Sequence, residues 1–123
     1  QIRLAQEVAS IGIALGHNVE KFGGRSAQDW ADASRGDVYE LLDGELAEKS
    51  NGANWRPSMA QDVVKGRPTE IYQMNGFVCQ QGATVGINTP VNEAMVEVIR
   101  AIDAKEIESG FENVERVLKS AGY

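Results

Sequence analysis

Apolar residues return along this chain at three- and four-residue steps, the period of a helix with one buried face. Leu4, Val8, Ile11 and Leu15 mark the first such face, and Gly16 follows as its stop. Residues 17 to 25 hold no period and read as a loop. Ser26, three residues ahead of Asp29, has the form of a capping box with Asp in the usual place of Glu, and predicts a short helix through Ala33. Val38, Leu41, Leu42 and Leu46 predict a helix of about three turns, followed by turn chemistry from Ser50 to Asn54. Ser58 stands before a helical run that ends near Gly66. Pro68 keeps Arg67 extended, and Thr69 is placed to cap a longer helix with Ile71, Met74, Val78 and Val85 on one face. Pro90 suits the first turn of a further helix, whose apolar positions are Val91, Met95, Val98, Ile99 and Ile102. Asp103 to Ser109 reads as a charged, solvated extension, and Phe111, Val114, Val117 and Leu118 form a last amphipathic segment. No strand-like alternation of useful length and no internal repeat occurs. The pattern predicts an all-α bundle of five to seven helices, with successive helices packed as neighbours because their links are short.

Length and charge narrow this further. The 123 residues suffice for one domain, residues 1–123, with a modest core. The net charge of −6 with scattered basic residues argues against nucleic acid as a partner, since phosphate neutralisation needs clustered Lys and Arg. Cys79 is the one cysteine, which excludes an internal disulfide and fits a reducing, cytoplasmic setting. No apolar run of about eighteen residues is present, so no membrane span is expected, and no signal peptide is visible. The chain opens on Gln1 inside an apparent helix and reads as a fragment or a processed product.

Residues 56 to 76 concentrate the candidate chemistry. Two helix starts in tandem, at Ser58 and at Thr69-Glu70, offer unpaired backbone N–H groups and a positive dipole end, a setting for an anionic ligand. Each residue also has a purely structural reading. Ser58 as an N-cap satisfies one backbone N–H, and Glu70 in a first turn complements the dipole. Asp62, one turn after Ser58, bonds local backbone or Arg67. Arg56 and Arg67 have the fork geometry for a carboxylate or phosphate, although solvation is their default. Asn75 and Gly76 fall mid-helix, where glycine costs about 1 kcal/mol against alanine, so close approach of another helix is the expected reason. His17 is the sole histidine and suits a helix C-terminus; with no partner ligand it predicts no metal site. Cys79 lacks a basic neighbour and reads as an inert thiol. Lys65 and Lys105 read as solvated.

The order of these motifs resembles a known family. Ser58-Met-x-Gln-Asp62, Gly66-Arg-x-Thr-Glu-Ile71, Asn75-Gly76 and the turn Gly86-Ile-Asn-Thr-Pro-Val-Asn92 together are similar to the C-terminal domain of ketopantoate reductase (2-dehydropantoate 2-reductase). The resemblance runs from about Ser58 to Ile102 and is weaker before Gly52. It implies a fold like the C-terminal domain of 6-phosphogluconate dehydrogenase. It also implies a parent enzyme of pantothenate biosynthesis that moves a hydride from NADPH to the ketone of a 2-oxo acid. By the same resemblance Ser58 binds substrate and Glu70 contacts the cofactor, NADP, which a separate N-terminal dinucleotide-binding domain mainly holds. No Gly-x-Gly-x-x-Gly unit is found here, so that domain is absent from this chain. The family's catalytic lysine lies upstream of Gln1 with its accompanying asparagines, and no catalytic residue is assigned. Near Trp55 the sequence departs from members with a polar ligand-binding residue; Asn54 stands beside it. The isolated chain is expected to be inactive. The competing reading is a non-catalytic helical dimerisation or interaction module, with a homodimer as its natural form.

Overall fold

A capping box opens the second helix as its sequence promised. The Ser26 hydroxyl accepts from the Asp29 N–H and the Asp29 carboxylate accepts from the Ser26 N–H, which satisfies two backbone donors that a helix start leaves over. The structure, a computed structural model, describes residues 1–50 and 58–123. Among the described residues it is all-α: α1 (Ile2–Ala14), α2 (Ala27–Ala31), α3 (Val38–Ser50), α4 (Ser58–Val64), α5 (Phe77–Val85), α6 (Pro90–Asp103) and α7 (Glu112–Ser120). A π-helical turn, Tyr72–Gly76, leads directly into α5. No strand occurs among them, and no helix is long and apolar enough to cross a membrane. Arg56, Trp55 and Asn54, with most of the turn expected after Ser50, lie outside the described residues.

By their contacts these elements form two compact units. One holds α1 to α3 with Thr84–Ile87; the other holds α4 through Ala83 with Asn88–Tyr123.

In the first unit, α1 packs chiefly on α2. Its inward residues are Ile2, Ala9 and Ile11, with Ala5 half-buried, whereas Val8 is 45% exposed. Of the expected stripe Ile11 is buried and Leu4 and Leu15 are half-buried, but Val8 faces outward and the next residue, Ala9, takes the inner place. Ile2, Ala9, Trp30, Ala33 and Leu42 make the core, and Val38, Tyr39 and Leu46 pack around it. Leu41, expected on the inner face of α3, is exposed. The α1–α2 seam is partly polar: Gln6 donates to Ala31 O at 3.1 Å, and both Gln6 and Arg3 donate to Ser34 Oγ. α1 stops at Gly16 as its sequence predicts. Gly16 N–H bonds Ile13 O, His17 N–H bonds Gly12 O, and His17 is exposed.

The loop of residues 17–25 folds into a tight reversal. Phe22 and Arg25 exchange two backbone hydrogen bonds of 3.1 Å around Gly23 and Gly24, both at positive φ, the geometry that glycine pairs favour in two-residue turns. The reversal sets Phe22 on Trp30 with rings stacked at 4.8 Å, and the indole N–H donates to Phe22 O.

In the second unit α6 is central and packs on the π turn and on α7. Val91, Asn92 and Ala94 are buried on it, with Met95, Val98, Ile99 and Ile102 half-buried. Pro90 takes the first helical position as expected, where its missing N–H costs nothing. Asp103 does not begin a solvated extension: it ends α6, is half-buried and accepts hydrogen bonds from Thr69. On α7 only Val117 of the four expected apolar residues is buried, and Phe111 is 95% exposed. Asn113 is the second inward residue, its amide donating to Glu108 O at 2.8 Å.

Candidate functional site

Ser58 and Glu70 each stand at a helix start in the second unit. Ser58 is the first residue inside α4 rather than the residue before it, and it is exposed. α4 ends where Gly66, at φ +65°, lets the Gly66 N–H bond Val63 O and the Arg67 N–H bond Asp62 O. That pairing satisfies carbonyls a helix end would leave over, and it requires the left-handed conformation glycine adopts freely. Arg67 and Pro68 then carry the chain, outside any helix, to the next helical residue, Ile71.

Thr69 was expected to cap that helix. Instead its N–H and its hydroxyl both donate to Asp103 Oδ2, at 3.1 and 2.8 Å. Glu70 takes the boundary place, its carbonyl accepting from the Met74 N–H at 3.0 Å. Its side chain is exposed, and among the described residues no hydrogen bond or ion pair engages the carboxylate. An uncommitted carboxylate at a helix start is chemically an acceptor for hydroxyl groups, such as those of a ribose. Ser58 and Glu70 are not bonded to each other.

Behind Glu70 lies an amide pair. Asn75 Nδ2 donates to Asn92 Oδ1 at 2.8 Å, and Asn92 is 0% exposed. The inward positions along this helix are Ile71, Asn75, Val78 and Gly82, while Met74, expected inside, is exposed. The face advances by four residues to Asn75 because Asn92 supplies a buried partner there. Gly76 does not mark the close approach of another helix: the atoms nearest a Cβ on it belong to Tyr72 and Ile71 of its own turn, at 3.7 Å or more. The sequence motifs point to neither Asn92 nor Asp103 as a site residue. Thr89-Pro90-Val91-Asn92 reads as a turn motif, and the signal it holds is a polar residue among the apolar positions of α6.

Two cavities lie elsewhere. One of about 630 Å³ in the first unit is lined by Lys21, Arg25, Ser26, Asp29, Glu45 and Glu48. Two of its charges pair with each other: Arg25 bonds Glu45, and that bond together with the Coulomb field of Glu45 raises the Arg25 pKa. Asp29 is held below the usual carboxylate range first by the Ser26 hydroxyl, then by the Ser26 N–H and the field of Arg25. The second, about 390 Å³, runs beside Asp103 between Arg67 and Lys105 and includes Glu106 and Glu108, so neither sign of charge dominates it. Neither cavity includes Ser58 or Glu70. Asp62, Lys65 and Lys105 join no ion pair found among the described residues, and Cys79 is half-buried.

Comparison with known proteins decides the family. The family model described as "Ketopantoate reductase PanE/ApbA C terminal" matches residues 2–103, which takes in every helix through α6. The chain belongs to the ketopantoate reductase C-terminal family. It is 38% identical over 73 residues to the 2-dehydropantoate 2-reductase of Vibrio cholerae, covering 59% of this chain and 22% of that protein. Against the enzyme of the same name from Pyrobaculum aerophilum it is 32% identical over 100 residues, covering 81% of this chain and 29% of the relative. The Aquifex aeolicus enzyme is 42% identical over 45 residues, covering 37% and 14%. The matched stretches thus span less than a third of these ketopantoate reductases. No solved structure matches at comparable stringency. The family match ends with α6, and α7 lies beyond it.

Proposed function

We propose that this domain is the substrate-side helical wall of an NADPH-dependent 2-oxo acid reductase of the 2-dehydropantoate 2-reductase type, acting in pantothenate biosynthesis in the cytoplasm. The observation that carries the reading is the exposed, uncommitted Glu70 carboxylate at a helix start, with Ser58 at the preceding one. The Ser58 hydroxyl donates to the carboxylate of the 2-oxo acid, and Glu70 accepts from a ribose hydroxyl of the dinucleotide. NADPH, held mainly by a dinucleotide-binding domain outside this chain, supplies the hydride when bound. The acid that protonates the ketone oxygen also lies outside this chain. The domain's own contribution is position: it fixes one face of the substrate and the ribose side of the cofactor.

The test is calorimetric titration of NADPH, with and without ketopantoate, into the chain alone and into the chain mixed with a separately made dinucleotide-binding half. Binding and turnover only in the mixture, weakened in Ser58→Ala and Glu70→Gln, support the reading. Ketone reduction by the pure isolated chain, or no effect of either substitution in an active mixture, overturns it.

One observation favours a second reading, a helical interaction module that forms a homodimer. Phe111, Val114 and Leu118 are exposed at helical spacing along α7, an apolar stripe of the kind that pairs with a partner helix. Sedimentation equilibrium separates the two readings: a dimer that Phe111→Ser/Leu118→Ser dissociates, in a chain that never supports turnover, selects the module.

A further inference from the structure

The turn that carries Glu70 is fixed at two places, both on α6. At its start Thr69 donates twice to Asp103, the last residue of α6. Six residues later Asn75 donates to Asn92, in the first turn of α6. The two anchors are separated by about 16 Å of helix, so the segment from Thr69 to Asn75 is held along α6 at both ends. Between the anchors Ile71 is 0% exposed, and the backbone takes the π form from Tyr72 to Gly76. A π turn holds one residue more than an α turn. If it relaxed to α geometry, everything before it would rotate by roughly 100° about the helix axis. Glu70 lies two residues before that segment, across Ile71. Its direction therefore depends on which helical form residues 72–76 keep.

An unsupported helix has no reason to keep a π turn, since its hydrogen bonds are poorer than α bonds. Here an amide from inside the π segment supplies the support by reaching a fully buried amide on another helix. Relaxation would pull Asn75 away from Asn92 and leave a buried acceptor short of a donor. Gly76, at the end of the segment, brings no side chain that must be repacked in either form.

We propose that Asn75 and Asn92 are positioning residues, a buried amide pair that holds the π turn and thereby aims Glu70 at the dinucleotide. The inference rests on the reading of Glu70 as the cofactor-side residue. It adds that the carboxylate is useful only in the helical phase the amide pair sets.

The experiment measures NADPH affinity by calorimetry for the chain mixed with a dinucleotide-binding half, in wild type, Glu70→Gln, Asn75→Ala and the Glu70→Gln/Asn75→Ala double variant. Asn75→Asp, of equal size but unable to donate to Asn92 Oδ1, is the second variant should Asn75→Ala fold poorly. Amide hydrogen exchange across residues 72–77 is read in parallel. The expected result is that Glu70→Gln and Asn75→Ala each weaken NADPH about tenfold, and that the double variant is no weaker than either alone. Ketopantoate affinity stays unchanged in Asn75→Ala, and exchange accelerates at residues 72–77 but not in α1. Glu70→Gln weakening NADPH while Asn75→Ala and Asn75→Asp leave it unchanged, or losses that simply add, overturns this inference and leaves the proposed function standing. A wild-type mixture that does not bind NADPH, or a silent Glu70→Gln, overturns both.

Discussion

Gly12 sets helix propensity against packing at a single residue. Alanine is the better helix former by about 1 kcal/mol, yet a Cβ at position 12 would stand 2.9 Å from Val19 Cγ2. Val19 is stiff at χ1, and overpacking of this kind costs about 1–3 kcal/mol. Gly12→Ala is therefore expected to lose stability, by about 1 kcal/mol net, seen as a lower urea midpoint. Ser26→Ala removes the hydroxyl that Asp29 N–H and carboxylate both use, and is expected to cost about 1 kcal/mol in the same assay. Asp29 adds a pH dependence of known sign. Its folded pKa is depressed, so its contribution is fully present above the unfolded value near 4 and disappears as pH falls through the folded one. The gap in urea midpoint between wild type and Asp29→Asn should hold steady from neutral pH to about pH 5 and close in stronger acid. A gap that widens on acidification contradicts the assignment.

At the scale of elements, the Asp103 anchor decides how firmly the Glu70 helix begins. Asp103→Ala removes the acceptor of two hydrogen bonds from Thr69, and bonds to a charged group contribute about 1.5–3 kcal/mol each at most. The expected outcome is a loss of about 2 kcal/mol and faster amide exchange at residues 69–74, with α1 unaffected. The same elements show what could be read from sequence alone. Local chemistry was legible: the Ser26–Asp29 box, the Gly16 and Gly66 stops, and Pro90 at a first helical position each depend on residues a few places apart. Faces were less legible. α1 turns Ala9 inward beside Ile2 and Ile11 while Val8 faces out, which a count of large apolar residues misses, and α5 is entered through Asn75 rather than Met74 because the partner amide sits on a different helix. Thr69 looked like a cap and proved to be a long-range donor for the same reason. Ser58 and Glu70 were located by their motif, but the residues that hold the Glu70 turn, Asn92 and Asp103, become visible only when α6 is laid beside it.

For the whole molecule, the family match supplies the reductase reading and the free side of the structure supplies its limits. Residues 2–103 carry the family signature, and the curated relatives are more than three times as long as the part matched. The proposal of a cleft completed by another domain follows from that difference together with the exposed Glu70. Surface ion pairs contribute little to holding such a chain together. Arg25–Glu45 is partly open to solvent, and Glu45→Gln is expected to leave the melting temperature nearly unchanged.

The stacked pair in the first unit has a practical use. Trp30 is buried against Phe22 with its indole N–H bonded, and the chain has one other tryptophan, Trp55. In a Trp55→Phe protein every photon excited at the red edge of the absorption band would come from Trp30. Such a protein would let an optical signal follow the α1–α3 unit alone while circular dichroism follows all the helices. Coincident transitions would mean one cooperative structure; separated ones would mean that one unit can loosen while the other stays folded, the order of the two signals telling which.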